Sequence, residues 1–433
     1  MKRRTLGAVA FAALAVLSFP MAAGCDSGDA VPTDGAEGGA AGTAEIKFED
    51  ITTLADGNNQ FAFDLYRRLA GRDNLFFSPY SISTALAMTA AGARGNTETE
   101  MSTVLRLPLK TERPGPSDAD RERVAATFAA LQAELAADPE EDGYELNIAN
   151  SLWGQETYPF KDTFVDLVAE SFGGGFNPAD FAGNAEAERV RINKWVEDET
   201  RERIVDLIPP GGVDAITTLV LTNAVYFKGE WASEFDAEKT SDERFNGAGV
   251  HSTVPMMYQK GKFRYAQTDV AQILEMPYVG DEVSMIAVLP NPDLPRGMRL
   301  LDASLTDEMF SGWLLELREQ DVKVYFPRFE LTWGTEDISG HLAVLGILDA
   351  FGGRADFTGM SDLQDLFVGP VFHKAFVKVN EEGTEAAAAT AVVMKRLAIE
   401  HETVFRADRP FLFFIRDNAT GSILFIGRIA DLA

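Results

Sequence analysis

A run of very small residues, EEGTEAAAAT at residues 381–390, constrains the fold of this chain more than any other feature. It holds one glycine, four consecutive alanines and two threonines, so it offers almost no chemistry. Sequence rich in Glu and Ala has high helix propensity, which favours a solvated surface helix. The flanks favour a strand, because apolar β-branched residues precede it at 376–379 and follow it at 391–394 with no capping signal between.

With the period of two that a strand imposes, this run separates into two different faces. The uncharged face consists of Thr384, Ala386, Ala388, Thr390, Val392 and Met394. The other face holds both charges and consists of Glu385, Ala387, Ala389, Ala391, Val393 and Lys395. Eleven or twelve such residues would span about 36–40 Å as a strand. The pattern therefore predicts a loop, hinged at Gly383, that can become a sheet strand with one face buried and one face wet.

Further segments resemble a known family in their order and spacing, although each alone is a weak match. They are NLFFSPYSI at 74–82, NKWV at 193–196, LTNAVYFKGEW at 221–231, ADFTGM at 355–360 and FRADRPFLFFI at 405–415. Together with residues 373–390 they resemble the serpins over nearly all the chain after residue 50. The resemblance implies an α+β fold with a large central mixed or antiparallel sheet, helices, further sheets and an exposed reactive-centre loop at about 381–404.

The residue pattern agrees with that fold class. Strand-like runs at 217–227, 283–289 and 422–426 mix with a helical pattern at 81–91, rather than alternating as in a βαβ protein. No linker divides the chain after residue 50, so a single serpin domain is expected over residues 45–433. Two polar stretches, 110–121 and 137–142, are expected to be exposed loops.

The first 24 residues have the layout of an export signal. Residues 2–4 are basic, and the apolar stretch at 6–19 is too short for a comfortable membrane span of about 20 residues. It closes on MAAGC, which resembles a bacterial lipoprotein cleavage box and makes Cys25 the predicted lipidation site. The competing interpretation is an ordinary signal peptide cut nearby. Residues 25–44 have little apolar bulk and are expected to form a flexible acidic tether.

These features predict an exported lipoprotein, anchored in a membrane by its lipid and facing the periplasm or cell surface, with secretion as an alternative. Cleavage before Cys25 would remove three basic residues and no acidic one, taking the net charge from −28 to −31. Because the chain is so acidic, nucleic acid, itself a polyanion, is not an expected partner. We expect a monomer whose partner is a protease.

A search for catalytic motifs finds no G-x-S-x-G, no H-E-x-x-H and no phosphate-binding loop. The four histidines, at positions 251, 341, 373 and 401, lie far apart, and Cys25 is the only cysteine. No metal, cofactor or catalytic residue is therefore predicted. A hydrolase remains an alternative, because a Ser-His-Asp set can assemble from distant parts of a chain.

By the resemblance, His373 matches the histidine of the serpin shutter, with Ser78, Ser81 and Asn223 as its partners. Buried polar groups need partners, so such a cluster can hold two central strands together until they separate. The resemblance also implies a hinge, made of Glu381, Glu382, Gly383, Thr384, Glu385, Ala386, Ala387, Ala388, Ala389 and Thr390.

The resemblance implies that the protein is a suicide inhibitor of serine endopeptidases. A protease would acylate itself on the loop, and the freed half would insert into the main sheet with the protease attached. With Gly383 as the fifteenth residue before the cut, the reactive bond is Leu397-Ala398, which favours chymotrypsin-, elastase- or subtilisin-like proteases. A loop one residue shorter would place Arg396 before the cut and favour trypsin-like proteases, and Lys395 is a remoter option. A cysteine protease is a possible additional target.

The other functional class left open by the sequence is a non-inhibitory serpin-fold protein, a binder or chaperone that is cleaved without trapping the protease. Such a relative is expected to carry charge, bulk or proline on the inserting face, and none occurs there before Arg396. Asn418-Ala419-Thr420 matches a glycosylation acceptor, a match without expected consequence in a bacterial lipoprotein.

Overall fold

The computed structural model describes residues 45–109, 115–136, 143–173, 175–294, 296–384 and 402–432. Residues 44–433 belong to one compact unit. The described helices are α1 (Phe48–Leu69), α2 (Pro79–Ala91), α3 (Gly95–Val104), α4 (Asp118–Leu135), α5 (Asp162–Ser171), α6 (Phe181–Glu199), α7 (Gly297–Ser304), α8 (Asp307–Glu316) and α9 (Ser339–Leu345). Short 3-10 helices lie at Ala237–Lys239 and Asp349–Phe351.

The strands fall into two sheets. The smaller sheet is called the main sheet below, because the hinge joins it. Its strands are β2 (Tyr144–Gln155), β3 (Phe176–Ala179), β4 (Leu219–Glu230), β10 (Phe329–Asp337), β11 (Val371–Val379) and β12 (Gly383–Thr384). Those of the second sheet are β1 (Leu75–Phe77), β5 (Ser241–Asn246), β6 (His251–Gln267), β7 (Ala271–Pro277), β8 (Val283–Pro290), β9 (Arg318–Pro327), β13 (Thr403–Arg406), β14 (Phe411–Asp417) and β15 (Ile423–Ile429).

The main sheet has the order β10-β11-β4-β2-β3, and β12 pairs with the end of β4. It is mixed: β2 is antiparallel to β4 and β10 is antiparallel to β11, whereas β11 runs parallel to β4. The second sheet has the order β1-β15-β14-β8-β7-β6-β9-β13, with β5 beside β6. β4 and β8 are buried along nearly their whole length, which explains why the sequence shows near-continuous apolar runs there rather than a strict alternation.

Alternating side chains of β4 contact two separate hydrophobic clusters. Leu221, Val225 and Phe227 belong to the large core that also contains α2 and the second sheet. The intervening Val220, Ala224 and Tyr226 belong to a smaller cluster under α6 and the segment after it. Because successive strand residues point to opposite faces, the main sheet is covered on both sides. A strand added to it would therefore be buried on both faces along its middle.

Two helix starts show how local signals set boundaries near the site. Ser78 caps α2 by accepting the Ser81 backbone N–H at 3.1 Å, and Pro79 occupies the first helical position, where its missing N–H costs nothing. Ser117 and Asp120 form a capping box that starts α4 at Asp118. The prediction of a loop through residue 121 was therefore wrong for its last four residues. Residues 110–114 and 137–142 lie outside the described part.

Candidate functional site: the hinge and the seam of the main sheet

The candidate site is the seam between β11 and β4, two parallel strands at the centre of the main sheet. Their register pairs Val371 with Leu221 and continues one for one to Phe376 with Tyr226. Beyond that point the strands no longer pair, and the chain leaves β11 at Val379 and turns back toward β4. The seam is thus closed along six residue pairs and open at the end from which the hinge emerges.

The first hinge residues already pair with β4 at this open end. Gly383 pairs with Glu230 and Thr384 with Gly229, both antiparallel. A tight turn directs them there: the backbone N–H of Asn380 donates to the Gly383 carbonyl at 2.9 Å, and the Gly383 N–H donates to Asn380 Oδ1 at 3.1 Å. The strand that the sequence predicted for this segment has therefore begun, over two residues.

Gly383 is required at this position for a steric reason. Its φ is +153°, a conformation in which other residues are strained, and a Cβ there would lie 2.1 Å from the carbonyl oxygen of Gly229 and 2.6 Å from the Cα of Glu230. No real Cβ approaches backbone atoms so closely. Any larger residue must separate β12 from β4.

Glu381 and its neighbours fix the chain just before the hinge. Its carboxylate accepts a hydrogen bond from Thr240 Oγ1 at 2.7 Å and contacts Arg328 Nη1 at 3.4 Å, although its side chain is largely buried. Trp231 binds the same turn, since its backbone N–H donates to the Glu382 carbonyl at 2.8 Å and its indole N–H to the Asn380 carbonyl at 3.0 Å. The Trp231 ring stacks on Tyr278 at 4.6 Å, which makes the anchor rigid.

Glu382 lies in an electrostatically unfavourable position. Burial first, and then the nearby carboxylates of Glu234, Glu230 and Glu381, raise the pKa of Glu382. The ionised form of this hinge residue is thus less stable in the folded protein than in water.

The far end of the loop is fixed by two ion pairs. Glu402 precedes β13, contacts Lys260 at 2.8 Å and also pairs with Lys323. Hydrogen bonds from Lys260 and Lys323 lower the pKa of Glu402 to about 2. The predicted loop is therefore held between two anchors, Glu381 and Glu402. Between these anchors, the structure does not describe the predicted hinge residues Glu385–Thr390 or the predicted reactive-bond residues Arg396, Leu397 and Ala398. The predicted lipidation site, Cys25, also lies outside the described residues.

The structure brings together all four residues predicted for the shutter, and adds a fifth. Asn150, on β2, pairs directly with Asn223 on β4, which pairs directly with His373 on β11. Ser81 of α2 lies beneath them, and its hydroxyl donates to Asn150 Oδ1 at 2.9 Å. Asn223 Nδ2 donates to Ser81 Oγ and to Asn150 Oδ1, both at 2.7 Å. This row of polar side chains ties three adjacent strands to one helix.

The imidazole of His373 is fully buried, and its hydrogen bonds define its tautomer. The backbone N–H of Ser78, rather than its hydroxyl, donates to His373 Nε2 at 3.2 Å, so Nε2 carries no proton. The proton on Nδ1 is then donated to Asn223 Oδ1. Burial lowers the pKa of His373 to about 3, because the charged form would lose its hydration. Neutral His373 therefore serves as both donor and acceptor across the seam.

Helix α6 and the segment after it cover the outside of the seam. Their side chains pack against both strands in the smaller hydrophobic cluster. From the cover come Phe181, Ile192, Val196, Ile204, Leu207, Ile208 and Val213, from the two strands Val220, Ala224, Tyr226, Phe372 and Phe376, and from the neighbouring strands β2 and β3 Ala149, Trp153 and Ala179. Asn193 of α6 links the helix to this segment, donating to the Ile208 carbonyl at 2.9 Å and accepting from the Ile208 N–H at 2.8 Å. Any widening of the seam must displace this cover.

A model of one protein family, described as serpin (serine protease inhibitor), matches residues 56–432. The chain belongs to the serpin family. Serpin relatives match almost throughout: the leukocyte elastase inhibitor of Sus scrofa is 42% identical over 390 residues, covering 87% of this chain and 99% of the relative. Antithrombin-III of Homo sapiens is 38% identical over 391 residues, covering 88% of this chain and 82% of the relative.

Solved serpin structures confirm the predicted fold. Uncleaved ovalbumin superposes with a TM-score of 0.77 at 30% identity, covering 88% of this chain and all of that one. Human thyroxine-binding globulin gives the same TM-score at 28% identity, with 88% and 99% coverage. The predicted α+β serpin fold is correct. The two relatives named above, leukocyte elastase inhibitor and antithrombin-III, are serine protease inhibitors and not enzymes, in agreement with the predicted class. The predicted lipoprotein character is a separate matter, and it stays a prediction.

The described residues include no cluster of three or more side chains suited to bind a metal ion. None of the helices in the described part is long and apolar enough to cross a bilayer.

Sequence reasoning missed Asn150, Asn380 and Arg328. Asn150 is an ordinary polar residue within a strand, and only its pairing with Asn223 shows its role. Arg328 is distant in sequence from Glu381 and directly follows β9 of the second sheet. Asn380 carried a usable signal, because Asn before a Glu-Glu-Gly sequence favours a turn.

Proposed function

We propose that this serpin inhibits serine endopeptidases as a suicide substrate, trapping the protease covalently when its cleaved loop inserts into the main sheet. The observation that carries the proposal is the pairing of Gly383 and Thr384 with Glu230 and Gly229. That pairing sets a register in which each further loop residue comes opposite the preceding residue of β4. The inserted segment would replace β11 as the neighbour of β4.

In this register the uncharged face of the loop would meet the main core. Ala386 would lie opposite Phe227 and Ala388 opposite Val225, both buried in the large hydrophobic cluster. Directly opposed residues in an antiparallel pair share a face. Thr390 would come opposite Asn223, where a hydroxyl can join the shutter hydrogen bonds. The charged face of the loop begins with Glu385, which would come opposite Lys228, a residue of opposite charge.

The intact molecule stores the driving force for this insertion. The six residue pairs between β11 and β4 must separate, and the shutter row through Asn150, Asn223 and His373 must part between β4 and β11. Once they part, an inserted strand hydrogen-bonds on both edges, so more pairs form than were lost. The uncleaved loop is held at Glu381 and Glu402, which prevents full insertion. The native state is therefore kinetically rather than thermodynamically selected.

The relatives support this class of target. Their names include an elastase inhibitor and an antithrombin. For this chain we propose Leu397-Ala398 as the reactive bond, with chymotrypsin-, elastase- or subtilisin-like proteases as targets. Arg396 before the cut is the alternative and would favour trypsin-like proteases.

The test mixes residues 44–433, the compact unit, separately with chymotrypsin, pancreatic elastase, subtilisin and trypsin. Denaturing gels detect covalent complexes, and mass spectrometry finds the new N-terminus. We expect an SDS-stable complex and a released peptide that begins at Ala398. A peptide that begins at Leu397 moves the reactive bond to Arg396. Cleavage within the loop by every protease, with no complex, refutes inhibition.

Two adjacent substitutions separate insertion from simple cleavage. Ala386→Arg would force a guanidinium against Phe227 in the core, at a cost of several kcal/mol, so cleavage should continue while trapping is lost. Glu385→Arg introduces the same side chain one residue earlier, opposite half-buried Lys228. The like-charge repulsion there should cost under about 1 kcal/mol, so most trapping should remain. Equal loss of trapping in both variants would contradict the register.

The second candidate function is a non-inhibitory binder. It is favoured by the match to thyroxine-binding globulin, a structure solved with thyroxine. This function predicts cleavage without trapping in the experiment above. The uncharged inserting face argues for the inhibitor, because a binder does not need it.

We also propose that Cys25 carries a lipid and that the serpin domain is tethered to a membrane by residues 25–44. The support is the sequence MAAGC after an apolar stretch. The full chain, expressed in a bacterium with labelled palmitate, should become labelled and sediment with membranes. The Cys25→Ser variant should do neither. Labelling that persists in Cys25→Ser would exclude this anchor.

A further inference from the structure

A cavity of about 310 Å³ opens at the base of the main sheet, at the end of β4 that lies away from the hinge. Leu219 and Val220 from the start of β4 and Phe372 from the start of β11 form part of its wall. Ile216 and Phe367 also line it, although they remain 86% and 55% exposed. A largely apolar cavity of this volume lies at the lower end of the range in which proteins bind small molecules.

The rim of the cavity carries negative charge. Asp214 and Asp365 are exposed there, and no Lys, Arg or His is among the lining residues that the structure describes. Hydrogen bonds hold both acids in place: Asp214 Oδ1 accepts from the Ile216 N–H at 3.1 Å, and Asp365 Oδ1 accepts from the Tyr158 hydroxyl at 2.5 Å. Because fixed carboxylates border an apolar wall, a ligand with an apolar body and a cationic group would match both parts.

The cavity has this shape only while β4 and β11 are neighbours. Insertion would place a new strand between them, and one strand occupies about 4.8 Å across a sheet. Phe372 would then lie further from Leu219 and Val220 by about that distance, and the wall would divide. A ligand that contacts both strands therefore binds the intact molecule in preference to the inserted one.

We propose that this cavity is a binding site for small amphipathic amines, and that a bound amine holds the seam closed. The apolar body of the amine lies against the wall formed by β4 and β11, and its ammonium group lies beside Asp214 and Asp365. The ligand must leave before the strands separate. At ten times its dissociation constant only about one molecule in eleven is unliganded, so insertion slows about tenfold. This braking effect rests on the proposed function, whereas binding to the intact molecule does not.

Three probes with the same indole body test the site: tryptamine is cationic, tryptophol is neutral and indole-3-propionate is anionic. Titration calorimetry measures their dissociation constants with the intact 44–433 protein at about 50 mM salt, because exposed ion pairs are screened at high salt. A ligand of about twelve non-hydrogen atoms is expected to bind with a dissociation constant of about 2 mM. Tryptamine should bind about three to ten times more tightly than tryptophol, and indole-3-propionate should bind most weakly.

Gly369 offers a way to fill the cavity. It belongs to the lining, its φ lies outside the left-handed region, and a Cβ there would meet only the Leu219 carbonyl oxygen, at 4.0 Å. Gly369→Phe should weaken tryptamine binding about tenfold or more, because the added ring and the indole cannot share the space. Gly353→Phe is the matched control, since Gly353 is exposed, lies outside the lining and has no heavy atom within 4 Å of an added Cβ.

The charge variant is Asp214→Asn with Asp365→Asn, which keeps carbonyl oxygens that can accept from Ile216 and Tyr158. It should abolish the preference for tryptamine over tryptophol and leave the affinity for tryptophol unchanged, because only the amine loses a partner. Asp269→Asn is the matched control, since Asp269 is an exposed acid in the turn between β6 and β7, outside the cavity lining. That control should keep the preference.

The braking effect is measured by adding chymotrypsin to the serpin with and without tryptamine at ten times its dissociation constant. Denaturing gels give the ratio of cleaved, free serpin to covalent complex. This ratio varies inversely with the insertion rate, so tryptamine should raise it about tenfold. The same addition to Gly369→Phe should change the ratio little, and this comparison separates the brake from any direct effect of tryptamine on the protease.

Each outcome decides a different claim. No binding of tryptamine at about 20 mM, or unchanged binding to Gly369→Phe, would overturn the site. Equal affinity for tryptamine and tryptophol, or a loss of preference in Asp269→Asn as large as in the double variant, would overturn the assignment of an amine ligand. Binding with an unchanged product ratio would overturn the brake. If no protease forms a complex even without tryptamine, the proposed function fails and the brake fails with it, whereas the calorimetry still decides the site.

Discussion

Lowering the pH should loosen the seam through a single buried residue, His373. Its pKa in the folded protein is about 3, against an ordinary value of 6.5, because it is fully buried. A base whose pKa is depressed by folding contributes stability that is fully present above pH 6.5 and is lost as pH falls toward 3. In the window between, the unfolded chain binds a proton that the folded chain does not.

The magnitude follows from these two values. At pH 5 an unfolded histidine of ordinary pKa is almost fully protonated, whereas His373 remains neutral in the native state. The linkage relation gives a loss of about 2 kcal/mol in unfolding free energy between pH 7.5 and pH 5. Structure explains the direction, because a proton on Nε2 would face the Ser78 N–H that now donates to it. Two hydrogen-bond donors would then face each other inside the protein with no acceptor between them.

The assay is urea unfolding of residues 44–433 at several pH values between 7.5 and 5, for wild type and His373→Gln. The difference between the two pH profiles isolates this residue, since the other three histidines are common to both proteins. The wild-type profile should fall about 2 kcal/mol further. Identical profiles would refute the reasoning. If the variant does not fold, NMR of the His373 imidazole in the wild-type protein replaces the comparison of profiles. Titration of that imidazole above pH 5 would refute the reasoning.

Three further substitutions test the site. Gly383→Ala should separate β12 from β4, because keeping them paired would cost on the order of 1–3 kcal/mol of backbone strain. Hydrogen exchange should show lost protection at residues 229–230 and 383–384, and unchanged protection would contradict the steric argument. Asn150→Ala should reduce stability by about 1–3 kcal/mol, because it leaves the buried donors of Ser81 and Asn223 without their acceptor. Urea unfolding measures this loss, and an unchanged stability would show that Asn150 is not part of the shutter. Glu381→Gln should lower the free energy of unfolding by under about 1 kcal/mol, because its partner Arg328 is half exposed. A double-mutant cycle with Arg328→Gln measures the coupling energy of the pair, and a coupling near zero would show that the contact contributes nothing.

Local patterns accounted for much of the fold. The strand signals at 217–227, 283–289 and 422–426 correspond to β4, β8 and β15, and the helical pattern at 81–91 lies in α2. The error at residues 118–121 came from treating a polar stretch as a loop when Ser117 and Asp120 form a capping box. Polar composition alone does not separate a loop from the exposed first turn of a helix.

The sequence by itself determined that a hinged segment of small residues, uncharged on one face, follows a strand and that Gly383 begins it. Those properties depend on neighbours in the chain, through side-chain size and strand periodicity. The tertiary structure alone decided which strands flank the seam, and that Asn150 completes the row through Asn223 and His373. The reason is distance along the chain: His373 accepts from a residue 295 positions earlier, and contacts between such distant residues depend on strand order and register, which no local pattern contains.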